Sequence, residues 1–351
     1  MEPSRAIEVA SPIPGHAGSL GLAVGPSAGP LNLELVEAAR SAASQLGLNA
    51  RLIGPGDELA EPGSILGVGF PGAFLGVLEA QSARSPARPL IAWVGEPLLP
   101  TGGPNGGPLA AAARSRAMDY LRYPLRPLKH APLPGPIARI RSSATGQREL
   151  ARNTRDLAHL VALVDRLVVT SRDKAAILVG HGIEADVVPY GYAAAVAGPI
   201  TPPESGERDL AMVSLATLDP RVAWRRSILD QLRQDEPRLT VANGIWGQDR
   251  YALLRRARIV LNVQRVPGNF VGLRIVLALA AGAVMVGEPM TDPHPFVPGV
   301  HFVSAPLDRL LEEARALLAD EPRRRRMAAA GQEMLLGELA MARCLSRVLT
   351  S

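Results

Sequence analysis

Short apolar runs alternate with amphipathic helical stretches along most of the chain, and this alternation constrains the fold more than any other feature. Runs over 20–24, 50–53, 64–70 and 89–94, and later over 209–214, 239–242, 259–263 and 283–286, are apolar almost throughout. Between them lie helix-length segments such as 33–46 and 271–281, followed by Gly47 and Gly282, the residue type that favours the left-handed position after a helix. Strands that are apolar on both faces belong to parallel sheets covered by helices. A chain of 351 residues is long for one such core and comfortable for two. The proline-rich stretch 196–208, with Pro199, Pro202 and Pro203, reads as the linker between them. The expected architecture is α/β, with two Rossmann-like doubly wound domains at 1–200 and 208–331 facing a cleft. Three terminal helices are expected at 307–318, 322–330 and 332–349, with 332–351 returning to the N-terminal domain. Open α/β sheets bind ligands at the carboxyl ends of their strands, which puts the site in that cleft.

Several function classes are excluded or disfavoured. Apolar residues make up 47% of the chain, too many for general disorder. The single cysteine, Cys344, precludes an intramolecular disulfide and any cysteine-rich zinc site. The six histidines are scattered without metal-ligand spacing, so no metal site is expected. There is no P-loop, nucleophile elbow or HExxH sequence. No apolar run reaches the ~18 residues of a membrane span, and 1–14 has no signal-peptide core, so a cytoplasmic protein is expected. The net charge of +5 is uneven: Arg114 to Arg155 holds ten basic residues against Asp119 and Glu149. That composition suits a phosphorylated acceptor or an anionic membrane surface at the inner membrane face, and equally a solvated loop; nucleic acid is not an expected partner.

From about Thr170 onward an ordered series of motifs resembles the group 1 (family 4-like) glycosyltransferases of the GT-B fold. Thr170-Ser-Arg-Asp-Lys174, running on to Val187-Val-Pro-Tyr-Gly191, is similar to the strand–helix–strand leading out of their N-terminal domain. Gly272-Leu-Arg-Ile-Val-Leu-Ala-Leu-Ala-Ala-Gly-Ala-Val-Met-Val286 resembles their donor-site helix and following strand, closest to the spore-maturation (CgeB-like) branch. Ala242-Asn-Gly-Ile-Trp246, Arg258-Ile-Val-Leu-Asn262, Pro298-Gly-Val-His-Phe302 and the terminal stretch from Leu317 to Gly331 support it. The series covers some 160 residues; the first 165 match only as an α/β unit.

This resemblance implies transfer of a sugar from a nucleoside diphosphate sugar, UDP- or GDP-linked, to a hydroxyl of a glycan, lipid, protein or small molecule, with retention and without a metal. The same fold also serves epimerases, phosphorylases and catalytically silent subunits that scaffold a partner. A helix starting near Val271 presents unpaired N–H groups and partial positive charge to a diphosphate, and Gly268 and Gly272 remove side chains where it must approach. Arg274, in the first turn, adds a guanidinium fork, and Arg221 lies where the family places a second diphosphate-binding cation. Gly244 and Trp246 follow a C-terminal strand, the tryptophan placed to stack on a base or to pack. Aligned on Gly272 and Leu273, the family's two glutamates fall at Asn269 and Leu277, and leucine cannot bind ribose hydroxyls. On the N-terminal side, Gly25 and Gly29 bracket the loop after the first strand. Glu96 follows the fourth and is placed to orient or deprotonate an acceptor, or to be an ordinary surface carboxylate.

Overall fold

The computed structural model describes residues 18–59, 62–95, 156–204, 208–216, 223–264 and 268–350. Glu96, Arg221 and the basic segment from Arg114 to Arg155 lie outside these.

The N-terminal sheet is formed by β1 (Ser19–Ala23), β2 (Asn49–Ile53), β3 (Gly63–Gly69), β4 (Leu90–Val94), β5 (Arg166–Val169) and β6 (Asp186–Val187), all parallel, in the order β2-β1-β3-β4-β5-β6. Every residue of β1 and β4 is buried, as both-face coverage requires. Helix α1 (Pro30–Gln45) starts with proline at its first turn and ends at Gly47, whose φ of 73° is the left-handed conformation. Helices α2 (Leu75–Arg84) and α3 (Arg172–Val179) follow β3 and β5.

A short helix, α4 (Ala194–Ala197), leads to the second sheet. Its strands are β7 (Leu210–Ala216), β8 (Leu239–Asn243), β9 (Ala257–Asn262), β10 (Val284–Gly287) and β11 (Val303–Ser304), again parallel, in the order β11-β10-β9-β7-β8. Helices α5 (Ala223–Asp235), α6 (Gly247–Arg256) and α7 (Gly272–Ala280) connect them. Strand order reverses at β1/β3 in one sheet and at β7/β9 in the other, the topological switch points where such folds hold ligands.

The end of the chain differs from expectation in one respect. After α8 (Leu310–Ala319), α9 (Glu321–Leu336) continues through Gly331, and the break comes at Gly337 before α10 (Met341–Thr350). Gly331 is a packing residue: a Cβ there would come within 2.4–2.8 Å of the Leu279 side chain on α7. Helix α10 packs on α1, and Tyr192 joins the chain before α10 through its backbone: its N–H donates to the Leu339 carbonyl and its carbonyl accepts the Met341 N–H. Arg166 of β5 donates to the carbonyls of Arg347 and Val348. Among the described residues no helix is long and apolar enough to cross a membrane.

Candidate functional site

The carboxyl ends of both sheets open onto one cavity of about 320 Å³. Gly69 and Phe70 line it from the end of β3, and Leu215, Ala216 and Asn262 from the ends of β7 and β9, so both switch points face it.

The C-terminal wall carries the charge. Arg274 reaches from the first turn of α7, and its Nη1 donates to the carbonyl of Leu215 at 2.5 Å. Arg225, on α5, aims its Nη2 at the same carbonyl at 3.4 Å. Two guanidinium groups therefore converge on one carbonyl at the carboxyl end of β7, beside the N-terminus of α7. Arg225 is only 3% exposed, and its Nε has no partner. Burial pulls its pKa down from 12.5 to about 10, against the opposing pull of the Glu288 carboxylate. Glu288 is itself shifted upward by burial, and its Oε2 accepts the Gln264 N–H at 2.6 Å. Gln264 ties down the loop before α7: its Oε1 accepts the Gly268 N–H at 2.7 Å, and its Nε2 donates to the carbonyls of Glu288 and Pro289. Asn262 is 1% exposed, lines the cavity, and has no partner for either amide atom. A buried amide with both ends unpaired costs free energy until something in the cavity pairs with it.

The structure brings together most of the residues singled out from sequence. Gly244, Trp246, Asn269, Gly272, Leu273, Arg274 and Leu277 all line the cavity. Leu277 is 5% exposed and packed into the core. The Phe270 ring lies 2.3 Å from where a Cβ on Gly272 would stand, so glycine there accommodates the protein's own ring. Gly25 and Gly29 are outside the lining. Gly25 packs against Ala73, whose carbonyl oxygen would be 2.6 Å from a Cβ, and Gly29 is the N-cap of α1. Arg225 and Gln264 are not foreseen from the sequence, and Asn262 enters there only as the end of the Arg258–Asn262 motif, not as a site residue. One signal was present for Arg225: with Leu229 and Leu232 it forms an i, i+4, i+7 stripe, a cation on the buried face of an amphipathic helix.

The two sides of the cleft are clasped by Glu34 of α1. One carboxylate oxygen accepts the Gly247 N–H at 2.8 Å, at the start of α6, and the other accepts Arg250 Nη2 at 2.8 Å. A carboxylate at a helix N-terminus is favoured by the helix dipole as well as by the ion pair. Arg250 also donates to Val196 and lies 5.8 Å from the Trp246 ring centroid. Glu34→Ala leaves a buried guanidinium without its anion and is expected to weaken the closed arrangement by about 2 kcal/mol. Small-angle scattering should show a larger radius of gyration than for wild type; unchanged scattering and an unchanged melting temperature would place the clasp elsewhere.

Comparison with known proteins bears on the fold. Residues 210–350 match the family model of glycosyl transferase-like proteins. No curated protein matches the chain by sequence. Among solved structures, sucrose-phosphate synthase (tll1590) from Thermosynechococcus elongatus superposes with a TM-score of 0.54 at 14% identity, over 94% of this chain and 96% of that one. Anabaena Alr3699/HepE in complex with UDP-glucose gives 0.54 at 11% identity, over 94% and 97%. An α-glucosyltransferase in complex with UDP and a 13-mer DNA containing a HMU base gives 0.53 at 8% identity, over 95% and 99%. The likeness spans nearly the whole of each chain: the fold is the two-sheet GT-B arrangement of glycosyltransferases.

Proposed function

We propose that the protein is a glycosyltransferase that moves a sugar from a nucleoside diphosphate sugar to an acceptor hydroxyl, with the donor held against residues 208–331 and the acceptor against residues 1–200. The observation that carries this reading is the convergence of Arg225 and Arg274 on the Leu215 carbonyl beside the N-terminus of α7. Negative charge develops on the departing diphosphate in the transition state. Two pre-placed guanidinium groups and a helix N-terminus stabilise that charge without reorganising. These groups supply the positive charge that a metal ion would otherwise bring, which supports a metal-independent reaction. Arg221 is the third candidate cation, Glu96 the candidate for orienting the acceptor, and retention follows the group 1 resemblance, whose CgeB-like branch is the nearest in motif. Because Alr3699/HepE has been solved with UDP and with UDP-glucose, UDP is the first donor nucleotide to try.

The test is a thermal-shift screen against UDP, GDP, ADP and dTDP. A nucleotide at 100 times its Kd stabilises the fold by about 2.7 kcal/mol through mass action. Binding by none of the four would favour the silent-subunit reading, which Leu277 motivates. For the nucleotide that binds, Leu277 carries a sharper expectation. Leucine accepts no hydrogen bond from ribose hydroxyls, and Glu288, the nearest acidic residue in sequence, is not part of the cavity lining and turns its Oε2 to the Gln264 N–H. The ribonucleotide and its 2′-deoxy counterpart are expected to bind within about threefold of each other, less than one ordinary hydrogen bond. Calorimetry on UDP and dUDP, or GDP and dGDP, checks this; a tenfold preference for ribose would assign the role to another residue.

A further inference from the structure

We infer that the N-terminal wall of the cleft takes an acceptor whose reacting hydroxyl is carried on an aromatic ring system; this rests on the donor reading above and names the substrate class of its other half. The cavity is divided by polarity. Its C-terminal wall holds Arg225, Arg250 and Arg274 with Asn262, whereas the described residues of its N-terminal wall include no charged side chain. That wall presents Leu31 and Leu35 of α1, Phe70 at the end of β3, and Tyr190 after β6. Its two hydroxyls are engaged within the protein. Tyr190 donates to the Trp93 carbonyl at 3.1 Å, and Thr170 Oγ1 accepts from Lys174 Nζ at 3.2 Å.

Phe70 and Trp246 are each 37% exposed, one on each side of the cleft, and are the two large aromatic side chains of the lining that keep substantial contact with solvent. A sugar acceptor exchanges several water hydrogen bonds for protein ones, and each hydroxyl left unpaired on an apolar wall costs free energy. An aromatic ring asks the reverse: apolar faces to cover it, and polar pairing only where its hydroxyl meets the donor. In the reaction, the aryl hydroxyl oxygen forms a bond to the anomeric carbon as that carbon's bond to the diphosphate oxygen breaks. The bonding electron pair leaves with the diphosphate, and the hydroxyl proton passes to the departing phosphate oxygen.

The test uses the full chain saturated with whichever of UDP, GDP, ADP or dTDP binds. 4-Methylumbelliferone is titrated by calorimetry beside methyl α-glucoside and maltose. The expected result is that 4-methylumbelliferone binds together with the nucleotide and more tightly than either sugar. Phe70→Ala should weaken it roughly tenfold with nucleotide affinity unchanged, and Phe70→Tyr should restore it. Equal or tighter binding of a sugar, displacement of the nucleotide by 4-methylumbelliferone, or no binding of 4-methylumbelliferone to the nucleotide-loaded chain overturns this inference alone. Failure of all four nucleotides to bind instead removes the donor reading, and the inference with it.

Discussion

Replacing Arg274 with alanine is expected to lower sugar transfer by roughly 30- to 1,000-fold, the equivalent of about 2–4 kcal/mol of charge stabilisation lost from the leaving diphosphate. The side chain is half of a converging pair, so its effect should be read against that of its neighbour. Arg225→Met removes a cation held in a buried site where its pKa falls to about 10, which makes the charged form about 3 kcal/mol costlier folded than in water. Truncation with a shape-filling apolar side chain should leave thermal stability equal or higher while nucleotide affinity falls. The double variant should lose less than the sum of the two, since both guanidinium groups act on one group of atoms. Wild-type turnover in a folded Arg274→Ala protein would dissociate the pair from the donor site. A drop in stability for Arg225→Met with unchanged nucleotide binding would make that arginine a structural support of the Leu215 carbonyl.

The second large effect is on stability. Arg208 is buried where the chain enters the second sheet, and burial lowers its pKa. Its guanidinium donates to the carbonyls of Pro202, Pro203, Arg255, Ala257 and Ala281. Arg255 and Ala281 lie at the carboxyl ends of α6 and α7, so one cation answers the unpaired carbonyls of both helices beside the C-terminal wall of the cavity. Gly282 makes room for it: at φ 73°, a Cβ there would stand 2.3 Å from Arg208 Nη2. Arg208→Ala leaves several buried carbonyls without donors and is expected to cost about 3–5 kcal/mol. Denaturant unfolding measures this. Arg208→Lys should recover only part, because a single ammonium cannot span carbonyls on three segments. An unchanged midpoint for the alanine variant would mean that water replaces the guanidinium.

How far the sequence carried can be seen at particular residues. Strands β1, β3, β4, β7 and β9 were legible because burial on both faces leaves short runs made mostly of apolar residues. The start of α7 was legible because the stretch from Gly272 to Val286 is similar to a known helix-and-strand motif. Gly331 misled, because a glycine reads as a helix end unless one knows that Leu279 lies against it. Arg225 was hidden among 36 arginines, most of them unremarkable in sequence.

By itself the sequence determined what repeats locally. Continuous apolar runs, the 3.6-residue helical period, turn glycines and the proline-rich linker are written within a few positions of the residues they govern, so two parallel sheets and a cleft followed from them. Only the tertiary structure decided which side chains meet in that cleft. Glu34 and Arg250 are 216 residues apart, and Leu215 and Arg274 are 59 apart. Their encounters depend on strand order, on which way each side chain leaves its helix, and on the packing of one sheet's connections against the other's. None of these has a period, and an arginine in the linear chain looks the same whether it will face water or a diphosphate.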